Sequence, residues 1–187
     1  RLSPAALTPG DTELISGAAA FHHEIGGLGL PYLATNWVSK DPLLDLPHAL
    51  VRTIDTPSGP LKIAFIGILD PDMMTTRPAI AADGVQITDP VSGVQPIVNS
   101  LYAEDPPPDA VIALTTASPQ VQAKLRRGLR GVDLVLGDPS FATLRVSQGD
   151  TKVDHVPPDV KAAPLTLSLD GLATADLWFG GPDEQLD

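Results

Sequence analysis

Residues 62–69, KIAFIGIL, decide the fold of this chain, because they form a nearly continuous apolar run. Such a run predicts a strand that is buried at the centre of a sheet. Residues 50–54 form a second β-rich run, and the connection TPSGP at 56–60 contains proline and glycine. The two runs therefore predict a hairpin with a five-residue connection and a central second strand.

The segments that follow alternate between helix and strand signals. Asp89-Pro90 is a typical helix start, because aspartate caps helices and proline fits the first helical position. The apolar residues after it recur at helical spacing: Val91, Val94, Ile97, Val98 and Leu101. Residues 110–114 predict a buried strand, Ser118-Pro119 predicts the start of a helix that ends near Arg127, and residues 132–136 predict another strand.

The amino-terminal third contains weaker signals of the same kinds. Residues 5–8 predict a short strand, 9–13 a turn, and 31–36 a second strand. Residues 18–25 predict a helix with Ser16 as its N-cap and Gly26-Gly27 at its end. From residue 143 onward the pattern changes to strands and turns, with a hairpin predicted at 168–172.

This order of elements predicts an α/β fold in which helices cover a mixed sheet, because the hairpin disfavours a purely parallel sheet. The length of 187 residues suits one domain, which we assign to residues 1–187. Arg1 and the Leu-Ser-Pro that follows it are an unusual start for an intact chain. We therefore expect an internal segment of a longer protein.

Composition narrows the classes of function. A net charge of −11 and a pI near 4.5 argue against nucleic acid and against anionic membrane surfaces as partners. The chain has no cysteine, which excludes disulfides, thiolate metal sites and a cysteine nucleophile. No apolar run approaches the roughly 20 residues that a membrane-spanning helix needs.

Six short motifs, in order, resemble the metallophosphoesterase domain of the 5′-nucleotidase family, within the calcineurin-like phosphoesterases. Residues 5–14 stand where the family has its Gly-Asn-His-Glu loop, and residues 31–36 match its Pro-Val-Leu-Ser-Ala-Asn strand. The remaining matches are residues 62–70, Asp89-Pro90, residues 114–116 and residues 131–141. The resemblance covers roughly residues 3 to 180. It implies a four-layer α-β-β-α sandwich, which this chain would contain incompletely at both ends.

The family's chemistry uses two divalent metals that activate water and hold phosphoryl oxygens. At the matching positions the asparagine ligand is replaced by Asp11 and the catalytic histidine by Thr12, with Glu13 beside them. The resemblance places Thr115 and Thr116 at the end of the Leu-Ser-His strand, where Thr116 replaces a histidine ligand. It also places Asp138, Pro139, Ser140 and Phe141 in the Gly-His-Ser-His turn, where Pro139 and Phe141 replace histidines. Because proline and phenylalanine cannot ligate a metal, we expect no bound metal and no other cofactor.

Several other residues have a simpler interpretation than a functional site. We expect surface positions for His22 and His23, because adjacent helical residues point about 100° apart, and loop positions for His48 and His155. Asp11 and Glu13 could form a residual cation site, but loop capping is the commoner role. Ser140 lacks the Gly-x-Ser-x-Gly pattern of a nucleophile. The basic cluster Lys124, Arg126, Arg127 and Arg130 predicts a solvated helix face or, less commonly, a contact with a partner or anion.

The function we expect is a catalytically inactive phosphoesterase-like domain that acts as a scaffold or docking module. The alternatives are an active metal-dependent phosphoesterase with substituted ligands and a small-anion binding domain. The resemblance implies an exported protein, periplasmic or extracellular, whose partner is another protein or another domain of the same polypeptide. Similar degenerate domains in bacterial secreted proteins accompany multihaem cytochrome segments, so a cytochrome is one such partner, although this chain has no Cys-x-x-Cys-His motif.

Overall fold

The computed structural model describes residues 4–57 and 59–137 and, beyond them, the backbone of four short strands. The chain divides into two compact units, Arg1–Ala142 and Thr143–Asp187. All the motifs up to residue 137 belong to the first unit.

The amino-terminal part of the first unit contains one helix and short extended segments. Leu7 forms an isolated parallel bridge with Tyr32, so the strands expected at 5–8 and 31–36 meet at a single position. Helix α1 (Ala18–Ile25) has the predicted bounds and ends at Gly26. Strand β1 (Trp37–Ser39) follows, and Pro42–Leu44 forms a short 3-10 helix.

The amino terminus of α1 is capped by a distant side chain. The prediction that Ser16 is the N-cap is wrong, because Gly17 occupies that position and makes no side-chain cap. The Ala19 amide instead donates to Asp83 Oδ2 at 2.9 Å. An aspartate 64 residues away in sequence therefore satisfies one of the free amides of the first turn.

The predicted hairpin is present with a tighter connection. Strand β2 (Ala49–Thr56) pairs antiparallel with β3 (Gly59–Ile68), which leaves only residues 57 and 58 between them instead of five. Gly59 has a φ of 124°, a value that favours glycine, and this lets the second strand begin directly after the turn. The hairpin is therefore longer and more regular than the sequence indicated.

Two short helices and a strand lie between the hairpin and the next long helix. They are α2 (Met73–Thr76), α3 (Pro78–Ala82) and β4 (Val85–Ile87), in a region for which the sequence predicted no helix or strand. Strand β4 pairs antiparallel with β1, and Trp37 is opposite Ile87. This pair forms a small second sheet.

The alternation of helices and strands after β4 agrees with the sequence except at one helix start. Helix α4 (Gln95–Tyr102) begins six residues after Asp89, not at Pro90. Asp89 Oδ1 does accept the amides of Val91 and Ser92, at 3.0 and 2.9 Å, but it thereby caps a turn before the helix. The remaining elements are β5 (Ala110–Thr115), α5 (Pro119–Gly128) and β6 (Leu134–Gly137).

The main sheet is mixed, in the order β2-β3-β5-β6. β3 runs antiparallel to β2 and parallel to β5, which is parallel to β6. Ile66 on β3 and Val98 on α4 are both fully or almost fully buried in one apolar cluster with residues of β5 and α5. The predicted mixed α/β fold with a central β3 is thus confirmed.

A second apolar cluster includes residues of α1 and of the small sheet, among them Phe21 and Trp37.

In the second unit, β7 (Val160–Ala162) pairs antiparallel with β10 (Leu177–Phe179), and β8 (Thr166–Leu167) pairs antiparallel with β9 (Ala173–Thr174). The hairpin turn predicted at 168–172 lies outside the described residues. Within the part of the chain that the structure describes, no helix has the length and apolar character needed to cross a bilayer.

Candidate functional site: the loop edge of the mixed sheet

The candidate site lies where the parallel strands of the main sheet end. β3 and β5 end side by side, with Ile68 opposite Thr115, and Thr115 is also opposite Gly137 at the end of β6. The chain after each strand therefore emerges at one edge, which is where α/β sheets place their ligands. We call residues 9–13, 69–72 and 115–118 the loop edge.

The structure brings the first two groups of predicted site residues together. Thr116 Oγ1 donates to the carbonyl of Pro9 at 3.3 Å, which joins the loop after β5 to the loop that contains Asp11, Thr12 and Glu13. Asp138, Pro139, Ser140 and Phe141 lie outside the described residues.

Asp11 is held by a cation of the protein itself. Its carboxylate forms an ion pair with the Arg77 guanidinium, and Arg77 Nε also donates to the Asp11 carbonyl at 3.4 Å. A third guanidinium nitrogen, Nη1, donates to the carbonyl of Thr76 at 2.9 Å. Sequence analysis did not single out Arg77, which lies between α2 and α3, and no local pattern connects it with Asp11.

Glu13 folds back over its own loop. Its Oε2 accepts the amide of Gly10 at 2.9 Å, so the carboxylate caps the turn, as the commoner interpretation of the sequence expected. Thr12 between the two carboxylates is exposed. Burial, followed by the negative charge of Glu13, raises the pKa of Tyr32 above its usual value.

Asp70, two residues after the end of β3, is the most buried carboxylate of the loop edge and was also missed. Its Oδ1 accepts the amide of Asp72 and its Oδ2 accepts the amide of Ser118, both at 3.0 Å. Asp70 thus connects the end of β3 to the start of α5. The available signal was its place immediately after a buried strand.

Thr115 joins the end of β3 to the chain that follows β5. Its hydroxyl donates to the carbonyl of Ile68 at 2.8 Å and accepts the amide of Ala117 at 3.1 Å. With 3% of its surface exposed, Thr115 has no free hydroxyl to offer a ligand.

A buried asparagine stabilises the loop edge through hydrogen bonds to the backbone. Asn36 Nδ2 donates to the carbonyls of Leu69 and Thr88, at 2.9 and 3.0 Å, and its Oδ1 accepts the Leu69 amide at 2.9 Å. Asn36 is only 1% exposed. One side chain therefore connects the end of β3 to the segment after β4.

Among the described histidines, none is grouped with other ligands as a metal centre requires. His23 is exposed as expected, whereas His22 is only partly at the surface, because its Nε2 is buried and its ring lies edge-on to Phe21. His48 Nδ1 lies 3.4 Å from the carbonyl of Ala34. His155 lies outside the described residues.

The described donor set does not fit a two-metal centre. Among residues 4–57 and 59–137, no three His, Cys, Asp or Glu side chains are grouped so that they could hold a metal ion. At the loop edge, one carboxylate oxygen each of Asp11 and Glu13, both carboxylate oxygens of Asp70 and the hydroxyl of Thr115 already accept protein hydrogen bonds. We therefore derive no chemical step through a metal.

Comparison with solved structures identifies the fold. The chain is similar to the calcineurin-like phosphoesterase YfkN from Bacillus subtilis (19% identity, TM-score 0.60), over 75% of this chain and 48% of that one. It is also similar to the NAD nucleotidase NadN of Haemophilus influenzae (20% identity, TM-score 0.60), over 71% of this chain and 26% of that one. A third similar structure is a 5′-nucleotidase precursor from Thermus thermophilus (18% identity, TM-score 0.58), over 91% of this chain and 32% of that one.

These likenesses show that the chain has a calcineurin-like phosphoesterase fold, of the kind found in 5′-nucleotidases, as the six motifs predicted. The chain spans about half the length of the first of these proteins and less of the other two. No protein-family model matches the sequence, and no curated protein is significantly similar to it. At identities of 18% to 20%, these comparisons show the fold.

Proposed function

We propose that this domain has the phosphoesterase scaffold without two-metal catalysis and serves as a scaffold or docking module in a larger exported protein or complex. Its partner would be another protein, such as a multihaem cytochrome, or another domain of the same polypeptide. Export follows from the family resemblance alone. The observation that carries the loss of catalysis is the pairing of Asp11 with Arg77, because Asp11 is the ligand-type side chain that the sequence leaves at the asparagine position.

The chemistry of the pair supports this proposal. A divalent ion at Asp11 would have to share the carboxylate with a guanidinium that is also bound to two backbone carbonyls. Arginine stays protonated in proteins, so it remains a competitor of the metal at every ordinary pH. The positive charge that a metal would supply to Asp11 is thus supplied by the chain itself.

The side chains that stand at the family's histidine positions also support the loss of metal binding. Thr116, at a histidine position, donates its hydroxyl to Pro9, and threonine hydroxyls are poor ligands for transition metals at neutral pH. Pro139 and Phe141 have no side-chain atom that could bind a cation. Removal of imidazole ligands should reduce metal affinity by more than the roughly 10- to 100-fold that follows loss of the groups behind them.

The test combines metal analysis of the purified chain with hydrolysis of a chromogenic phosphodiester and of a nucleoside 5′-monophosphate. Mn²⁺ or Zn²⁺ should give no stoichiometric binding, and turnover should equal that of an Asp11→Ala variant, which has no ligand atom at this position. About two metals per chain, with turnover that Asp11→Ala abolishes, would establish the active phosphoesterase and refute the proposal. A bound anion without metal would favour the anion-binding alternative.

A further inference from the structure

Four basic residues of the first unit are grouped on and just after one helix. Lys124, Arg126, Arg127 and Arg130, which we call the basic face, are four of the 12 basic residues of a chain whose net charge is −11. All four are exposed, on the carboxyl-terminal half of α5 and just beyond it. A positive surface of this kind on an acidic protein creates a local field of opposite sign.

Most of this positive charge is not neutralised within the described part of the chain. Lys124 forms an ion pair with Asp89. Among the described residues, no carboxylate lies within ion-pair distance of Arg126, Arg127 or Arg130. Arg126 and Arg127 lie in the last turn of α5, where the helix dipole favours cations, but that interaction leaves the guanidinium donors available.

The basic face borders an open groove of about 520 Å³ between α5 and the turn before α4. Lys124 and Arg127 line it together with Val91, Ala123 and Gly128. Gly128 makes the close approach possible, since a Cβ there would lie 2.9 Å from Val91 Cγ2. The groove therefore combines an apolar floor with one paired and one available cation.

The dimensions of the groove suit an extended chain. Its lining residues on α5 run from Gln120 to Gly128, a rise of about 12 Å at roughly 1.5 Å per residue. At about 3.3 Å per residue, roughly four extended residues cover that distance. Alternate side chains of such a segment could rest on Val91 and Ala123 and reach Lys124 and Arg127, which line the groove.

We propose that the basic face and its groove are a docking site for an extended, acidic protein segment. This deepens and rests on the docking role proposed above, and it specifies the surface and the chemistry of the partner. Carboxylates match the planar guanidinium donors of Arg126, Arg127 and Arg130. Nucleic acid is a poorer occupant, because a continuous line of phosphates would meet both Asp89 within the groove and the acidic remainder of the chain.

The test uses the full chain and a fluorescent ten-residue peptide of alternating Glu and Val, followed by fluorescence anisotropy at low salt. The wild-type chain should bind it, and binding should weaken as salt rises. The Arg126→Gln/Arg127→Gln variant should bind about tenfold more weakly, because it loses the attraction to the peptide's carboxylates. The Arg126→Glu/Arg127→Glu variant should bind more weakly still, because it also repels them. Circular dichroism checks that each variant is folded.

The matched control reverses the same amount of charge elsewhere. Lys40→Glu/Arg52→Glu alters two exposed residues outside α5, neither of which lines the groove. Compared at about 0.1 M salt, where the Debye length is about 10 Å, this variant should bind within about twofold of the wild-type chain. If both charge-reversed variants lose the same amount of peptide affinity, the effect comes from net charge alone, and the proposed docking site is wrong.

Four other results would overturn the proposal: no peptide binding at low salt, equal binding of a Gln-Val peptide, tighter binding of a ten-nucleotide DNA strand, and self-association that the Arg126→Glu/Arg127→Glu variant removes. The last would assign the face to a second copy of the chain. None of these measurements depends on turnover, so failure here and failure of the inactive-domain proposal are distinguishable.

Discussion

The helix-covered face of the main sheet and the loop edge at the ends of its strands are built by different means. The first is an apolar cluster of β3, β5, α4 and α5, with Ile66 and Val111 fully buried. The second is a set of polar side chains that hydrogen-bond one another's backbone, such as Asp70 with Ser118 and Thr116 with Pro9. A scaffold held by apolar burial does not depend on which ligands its edge carries, so the edge can change chemistry while the fold persists.

Truncation of a buried side chain on the apolar face should have the largest effect on stability. Ile66→Ala should lower the free energy of unfolding by about 3 kcal/mol, through lost burial and a cavity. Urea denaturation followed by circular dichroism measures it. Ile54→Ala is the matched control, because Ile54 is 45% exposed on β2 and its truncation should change stability by less than about 0.5 kcal/mol. Similar losses at both positions would contradict the assignment of the core.

The buried support of the loop edge should give the next largest effect. Asn36→Ala removes the partner of the Leu69 amide and of two carbonyls, and leaving buried groups unpaired costs about 2 kcal/mol. The same denaturation experiment measures the loss. Asn99→Ala serves as the control, since Asn99 is exposed on α4 and bonds only Gln95 among described side chains. A neutral Asn36→Ala would show that the edge is not held in this way.

The ion pair at the edge should contribute much less to stability. Asp11 and Arg77 are 53% and 26% exposed, so a double-mutant cycle with Asp11→Asn and Arg77→Gln should give a coupling below about 1 kcal/mol. Added salt should reduce it further. A coupling of several kcal/mol would instead indicate a pair that is shielded from water. A coupling of this size also limits the competition of Arg77 with a metal at Asp11 to about fivefold in affinity, so the replaced histidine positions must account for the larger part of any loss of metal binding.

The two tyrosines of the chain report on the two regions separately. Burial, together with Asp133, raises the pKa of Tyr102 on α4 to about 12, and burial with Glu13 raises the pKa of Tyr32 near the loop edge. An absorbance titration should therefore show well under half of the tyrosine ionised at pH 10.0, the usual pKa. Glu13→Gln should lower the pKa of Tyr32 only in part, and leave Tyr102 unchanged.

The sign of the matching stability effect follows from linkage. Because both phenols hold their protons more tightly in the folded state, their contribution to stability is complete below about pH 10 and is lost as the pH rises through the folded pKa values. Stability that is constant from pH 10 to 12 would contradict the raised pKa of Tyr102.

Local signals predicted the apolar region well and the polar edge poorly. The run at 62–69 overlaps β3, and Pro119 is the first residue of α5. Burial and the fixed φ of proline both leave marks in adjacent residues. β4 has three residues and forms by pairing with β1, almost 50 residues earlier, so no local pattern marks it. The role of Arg77 likewise depends on a residue 66 positions away.

The cap that Asp83 supplies to α1 has a consequence for the order of folding. An isolated helix of eight residues is marginal in water, and α1 makes no side-chain cap of its own. Its first turn is completed only when the end of α3 reaches Gly17, where a Cβ would lie 2.6 Å from Asp83 Oδ2. Helix α1 should therefore be a late element in folding, with φ-values near zero, formed after the chain has closed a loop of more than 60 residues.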